Sequence, residues 1–463
     1  MKTGLSMFFA PKSIAVVGVS RNPSKAGHGI LKNILWSFEY KDNIFPVNPS
    51  ATEILGIPAF ASLLEIPIDI DLVILSVPPK IIPGLMSQCY EKKVKGVIIE
   101  SAGFAEVGEE GEKVQNEILK LAKKYNVRIW GANCMGTVTD TLVTTFEPFD
   151  DNIRVKGHLS IVGQSGYFGG AVLLQFFSER KIGIRKACSI GNKVDVDECD
   201  LLIDFLNDEK TNVAAFYLEG FKNPRKFLQI ARKSTKPIIC LLGGQSPVGK
   251  KAVLSHTSST AHGSPELLAS LLSQSGIIQV EEFGELFNVV EAFTKLPVPK
   301  GNKLAIVTIT GAGGVIGADI ASKYNIELPD LSNQVTKKLQ QIFPSWMPPK
   351  NPVDSWPAFE LHGVDKALRK ILPILLQSDE IDMVILMIAC MSVAKTFDPM
   401  IVKSMNKYAK PLITYFVGDK EIKDNWTRTI RSNNGVVFDN IRTCIRTLYF
   451  LNLFKKHLDR RPI

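Results

Sequence analysis

SIAVVGVSRNPSKAGHGILKNIL, residues 13–35, opens on a short apolar run, turns at Gly18 and continues with apolar residues at helical spacing. A short apolar strand, a Gly-containing turn and an amphipathic helix, in that order, form the repeating unit of a parallel α/β sheet. The same order returns in HLSIVGQSGYFGGAVLLQFFSER (158–180) and in KLAIVTITGAGGVIGADIASKY (303–324). Each opens a segment of domain size. Further strands are expected at DNIFPVNP, DLVILSVPP, VKGVIIESAGF and VRIWGANCMG in the first segment, and at RKACSIGNK, NVAAFYLEG and KPIICLLGG in the second. The third continues with DMVILMIACM, PLITYFVG and GVVFD and closes on a helix. FEPFDDNIRVKGH marks one boundary; LPVPKGN (296–302), whose prolines and glycine stop both helix and strand, marks the other. The fold class is therefore read as α/β, with three consecutive domains at 1–145, 146–298 and 299–463, all of doubly wound or flavodoxin-like type.

Composition narrows the function classes. With 463 residues, 45% hydrophobic and 22% charged, the chain is ordinary globular material, long enough for two to four domains at the usual ~100–200 residues each. No apolar run reaches the ~20 residues of a membrane span. The N-terminal apolar stretch reads as a strand entering a Gly turn, not as a secretory signal. Seven scattered cysteines without a CxxC pair argue against a disulfide framework and against zinc, and fit a reducing cytoplasm. The net charge is +9, but the basic residues are spread along the chain, with no block and no interleaved aromatics. That pattern favours a small polyanion such as a nucleotide or coenzyme over nucleic acid.

In open parallel sheets ligands bind beyond the carboxyl ends of the strands, where helix N-termini favour anions. The first segment brings three such ends: Gly18 and Ser20 with Arg21 and the NPSKAG loop that carries Lys25; Ser76, Val77, Pro78 and Pro79; and Ser101, Ala102, Gly103 and Phe104. This is not the GxGxxG fingerprint, and Asn48 and Pro49 stand where an acidic ribose ligand would end the second strand. A phosphate-bearing ligand other than a simple NAD is the functional reading; on the plainer one, Gly18 serves only a tight turn. The second segment adds Ser165 and Gly166 at one helix start and Gly191, Asn192 and Lys193 near another. Asp195 and Asp197, which follow, suit helix capping.

Six histidines, at 28, 158, 256, 262, 362 and 457, show no metal spacing, so no metal is expected on this chain. His256 lies in GGQSPVGKKAVLSHTSSTAHGSPE, read as a long, basic loop rich in small residues. Glu219 ends the strand expected beside KPIICLLGG. A carboxylate there would hold one imidazole nitrogen of His256 and leave the other free as a nucleophile; alternatively it caps a helix.

SIGNKVDVDECDLL, YLEG, the SHT loop, GQSG and NPVD (351–354), in this order, resemble the α subunit of NDP-forming acyl-CoA synthetases, a group that includes ADP-forming acetate–CoA ligase and is related to the succinyl-CoA synthetase α chain. The resemblance covers essentially the whole chain and implies a Rossmann-like CoA-binding domain followed by two succinyl-CoA-synthetase-like flavodoxin domains. It implies CoA at Gly18, Ser20, Arg21 and Lys25, at Val77 and Pro78, and at Ser101, Gly103 and Phe104, with phosphate at Ser165, Gly166, Gly191 and Asn192. Acyl-CoA and phosphate would give an acyl phosphate, His256, oriented by Glu219, would take the phosphoryl group, and ADP or GDP would receive it to give ATP or GTP. The nucleotide and Mg would sit on an ATP-grasp β chain, since no such pattern follows residue 300, and an α2β2 cytoplasmic enzyme acting on a small carboxylic acid is implied, with no membrane or nucleic-acid partner.

The chain departs from the family pattern at several positions. Ser258 and His262 replace loop glycines, Leu242 and Gln245 replace basic residues, Ser50 replaces a lysine and Ala132 a proline. Lys250 and Lys251 are the nearby cations that remain to serve a phosphate path. The departures leave two alternatives, a CoA-binding regulatory or scaffold protein with impaired phosphoryl transfer and an acyltransferase-type partner domain working without nucleotide.

Overall fold

The computed structural model describes all residues except 1–3, 151–154, 181, 257–263, 392–396 and 461–463. By compactness the chain forms two units, Met1–Glu282 and Phe283–Ile463.

The first unit holds two large sheets, besides a two-stranded antiparallel ladder of Glu53–Ile54 with Ile57–Pro58. In the first, Ile14–Val17 (β1), Ile44–Val47 (β2), Leu72–Leu75 (β3), Gly96–Ile99 (β4) and Arg128–Gly131 (β5) pair in the order β2-β1-β3-β4-β5, all parallel. Residues of β1, β3 and β4 are buried throughout, as expected when helices cover both faces of a parallel sheet. Pro46 sits opposite Val16 on the edge strand β2, where a missing N–H costs no ladder hydrogen bond.

The second sheet contains Thr137–Thr139 (β6), Lys156–Gly163 (β7), Ile184–Ser189 (β8), Val213–Leu218 (β9), Ile238–Leu242 (β10) and Ile277–Val280 (β11), ordered β11-β10-β9-β7-β8-β6. Only β6 is antiparallel, on β8; it was not among the expected strands. Without it the order is again second-first-third-fourth-fifth. A π turn, Phe168–Val172, interrupts the helix after β7, a feature that often accompanies functional sites.

The second unit has one sheet, Leu304–Thr308 (β12), Val353–Asp354 (β13), Met383–Cys390 (β14), Leu412–Gly418 (β15) and Val436–Phe438 (β16), ordered β13-β12-β14-β15-β16 and all parallel. All three repeats of the sequence thus build one topology, with its switch point between the first and third strands. Asn351 of NPVD fastens this sheet: its Oδ1 accepts from Ile306 N at 3.2 Å and its Nδ2 donates to Leu304 O at 2.8 Å. The helix Phe283–Lys295 belongs to this unit, Ala292 packing in the core with Leu304 and Ile306. The compact unit thus begins ahead of the LPVPKGN stretch.

All seven cysteines are free and buried. Among the described residues no helix is long and apolar enough to cross a membrane.

Candidate functional site

The ligand crevice of a doubly wound sheet opens at its switch point. In the first sheet that point is where Gly18 meets Ser76. Gly18 has φ +89°, and a Cβ there would stand 2.2 Å from the Ser76 carbonyl oxygen, so no other residue lets the two strand ends approach so closely. Beyond the turn, Ser20 Oγ accepts from Asn22 N at 3.1 Å and Arg21 Nε donates to Glu53 O at 3.1 Å. Arg21 and Lys25 are exposed cations at the mouth of the crevice.

The other two strand ends are stitched together. Ser101 Oγ accepts from Val77 N at 3.0 Å and donates to Val77 O at 2.6 Å, so its hydroxyl holds the scaffold. Pro78 is exposed beside it. The ring of Phe104 is fully buried in the core with Ile99, Ile118 and Ile129. Only its main chain faces the turn. The N–H groups of Gly103 and Phe104 both donate to Glu106 Oε1, at 2.7 and 3.1 Å. Burial opposes ionisation of Glu106, but hydrogen bonds from the Asn192 side chain and from the backbone outweigh it and lower its pKa. Nearby, burial raises the pKa of Glu100, only partly offset by the Ser76 hydroxyl that donates to its Oε2 at 2.9 Å. Sequence reasoning passed over both glutamates, although each stands within two residues of a strand-end residue it had singled out.

The second sheet's loops dock on this region. Gly191 has φ +51°, and a Cβ there would lie 2.1 Å from Ala132 O; Asn192 N donates to that same oxygen at 2.8 Å. Asn192 Nδ2 donates to Glu106 Oε2 at 2.6 Å, while its Oδ1 is buried without a partner among the described residues. Lys193 is buried, its Nζ bonded to Glu198 Oε2 at 2.9 Å and to Gly220 O at 2.6 Å; it serves the fold. Of the acidic pair, Asp197 caps the helix Glu198–Asn207, but Asp195 does not cap: it accepts from Arg128 Nε at 2.7 Å. Ser165 and Gly166 are half-buried where the helix after β7 starts.

At the second switch point Gln164 and Glu219 face each other. Glu219 N donates to Gln164 Oε1 at 3.0 Å, and Gln164 N donates to Tyr217 O at 3.0 Å. Tyr217 Oη donates to Glu219 Oε1 at 3.0 Å, whereas Glu219 Oε2 is buried and has no hydrogen-bond partner among the described residues. Burial first, then the charge and hydrogen bond of Glu219, push the Tyr217 phenol above its usual range.

Glu219 lines a cavity of about 30 Å³ with Gly220, Phe221, Gly243, Lys250 and Leu268, room for a water molecule rather than a coenzyme. One wall is the helix Pro247–His256, where a loop was expected. The reason is local: Ser246 precedes Pro247, a residue preorganised for the first helical turn, and Ser246 Oγ accepts from Gly249 N at 3.0 Å. His256 is the last residue of this helix; its side chain, together with Ser258 and His262, lies outside the described residues. Lys250 faces the cavity and Leu242 is buried at the end of β10. Among the described residues no three His, Cys, Asp or Glu side chains converge as a metal site.

Comparison with known proteins adds the following. Residues 12–140 match a CoA binding domain and residues 156–293 a succinyl-CoA ligase like flavodoxin domain. ADP-forming acetate–CoA ligase II of Archaeoglobus fulgidus is 34% identical over 95% of this chain, which spans 65% of that relative's length. Subunit alpha of ADP-forming acetate–CoA ligase II of Pyrococcus furiosus is 38% identical, over 76% of each chain. Among solved structures, the dinucleotide forming acetyl-coenzyme A synthetase 1 of Ca. Korarchaeum cryptofilum, in complex with phosphate and ADP, matches with a TM-score of 0.89 and 28% identity, over 99% of this chain and 98% of that one.

Proposed function

We propose, from the premise that the chain belongs to the family of ADP-forming acetate–CoA ligases, that it is the α subunit of an NDP-forming acyl-CoA synthetase. Its functional parts are the CoA-binding segment 1–145, the phosphohistidine segment 146–298 and the segment 299–463. The acyl-CoA binds at the first switch point, with Gly18 and Ser20 at the turn and Arg21 and Lys25 as phosphate counter-charges. Val77, Pro78, Ser101 and Gly103 shape the crevice.

Inorganic phosphate, near Ser165, Gly166, Gly191 and Asn192, attacks the thioester carbonyl. The C–S bond breaks, CoA leaves and takes up a proton, and an acyl phosphate forms. A ring nitrogen of His256 then attacks phosphorus, the bond from phosphorus to the acyl oxygen breaks, and the carboxylate leaves. The proton on the other ring nitrogen is held by Glu219, whose negative charge offsets that of the ring. Such a transfer depends on positioning and on neutralising the charge of the transferred oxygens, which helix N-termini and Lys250 supply. The phosphoryl group passes on to ADP or GDP, held with Mg by an ATP-grasp β chain in an α2β2 enzyme. Substrates of this kind place the work in the cytoplasm.

The observation that carries the reading is the buried Oε2 of Glu219, which has no partner among the described residues, in a cavity walled by the helix that ends at His256. A buried acceptor without a donor is costly, and the imidazole is the donor that would satisfy it. The relatives are ligases, which favours this reading over a scaffold. His256→Asn, assayed with the β partner, is expected to abolish nucleotide-dependent thioester formation while CoA still binds. Normal turnover by that variant would end the proposal.

A further inference from the structure

We propose that Tyr217 is the positioning residue of this site: its hydroxyl pins one oxygen of Glu219 so that the other is committed to the histidine. The inference rests on the phosphohistidine reading above. Tyr217 and Glu219 are two residues apart at the end of β9, so both side chains leave the same face of the sheet. The Tyr217 hydroxyl donates to Oε1 at 3.0 Å, and Oε2 is the buried oxygen left without a partner among the described residues. A carboxylate held at neither oxygen turns about its last side-chain bond, a torsion with broad wells, and presents either oxygen. With Oε1 engaged, that freedom is lost.

The tyrosine is itself held. Its ring stacks on Phe168, centroids 5.2 Å apart and planes at 28°; Phe168 is fully buried and is the first residue of the π turn after GQSG. Beneath the pair, the exchange of hydrogen bonds between Gln164 and residues 217 and 219 fixes the backbone at the switch point. The raised pKa of the phenol keeps it a donor across the neutral range. The chain from π turn to phenol to carboxylate therefore ties the orientation of the base to the helix that starts at Ser165 and Gly166.

Tyr217→Phe removes one oxygen and leaves the ring on Phe168. With the α–β enzyme, the expected result is a fall of about tenfold in kcat for thioester formation, the size expected for one hydrogen bond to a charged group, with KM for CoA unchanged. In a Glu219→Gln background the same change should cost less than about twofold, because a residue that acts through another loses its effect when that other is gone. If Glu219→Gln lowers the rate and Tyr217→Phe does not, the positioning role is wrong while the phosphohistidine reading stands. If neither lowers it, the reading itself has failed. Losses that multiply fully in the double variant would place the hydroxyl's effect elsewhere and overturn the proposal. So would a Tyr217→Phe chain without a cooperative melt, which would put the hydroxyl in the fold instead of the site.

Discussion

Asn192 Nδ2 donates to Glu106 Oε2 across 2.6 Å, and through this contact the loop after β8 is joined to the turn that follows β4. The same carboxylate, by its other oxygen, holds the N–H groups of Gly103 and Phe104. Two strand ends that the family resemblance assigns to different ligands, CoA and phosphate, thus share one side chain that sequence reasoning did not single out.

Glu106 makes a pH-dependent contribution to stability. Its folded pKa lies below the ordinary 4.5. Stability from such a group is complete above the unfolded value and is lost as the pH falls through the folded one. Glu106→Gln, which cannot ionise, should therefore be less stable than the wild type at pH 7 and should close the gap as the solution is acidified below pH ~4. Urea titrations at a series of pH values measure this; a gap independent of pH would contradict it.

The Lys193–Glu198 pair tests the fold of the same loop. Glu198 is fully buried and Lys193 nearly so. Removing one partner leaves a buried charge alone, and Glu198→Leu should cost about 3–5 kcal/mol. The double change Lys193→Met with Glu198→Leu should cost less than either single change. Denaturant melts of the three variants decide it, and strictly additive losses would show that the two charges do not interact.

Gly18→Ala addresses the first switch point. The new Cβ would collide with the Ser76 carbonyl at a backbone φ of +89°. A loss of about 1–3 kcal/mol in stability is expected, together with weaker CoA binding by titration calorimetry as the strand ends part. Unchanged CoA affinity would remove this crevice from the proposed coenzyme site.

The strand–glycine–helix rhythm made the three sheets legible, because strands buried on both faces must be apolar runs and their crossovers must be amphipathic helices. Fully buried runs such as IAVV and LVIL carried that signal directly. The site was harder to read because its geometry is tertiary. Nothing local announces that Phe104 turns its ring into the core or that Asp195 reaches Arg128. Strand β6 escaped because TVT is short and follows a run already assigned to β5. Two signals were present and unused. Ser246 followed by Pro247 is a helix start, which would have placed His256 on a helix. Tyr217 stands two residues before Glu219, the spacing of one sheet face.

The central claim is that His256 carries a phosphoryl group in transit between an acyl phosphate and a nucleotide. The direct measurement is to incubate the chain and the proposed ATP-grasp partner with γ-labelled ATP, separate the chains, and assay the label on this one for stability in acid and base. Label that is lost in acid, kept in base, absent from His256→Asn and discharged by CoA with the carboxylic acid is the predicted result. A wild-type chain that turns over without ever taking up label, or a His256→Asn chain labelled as fully as the wild type, would contradict it.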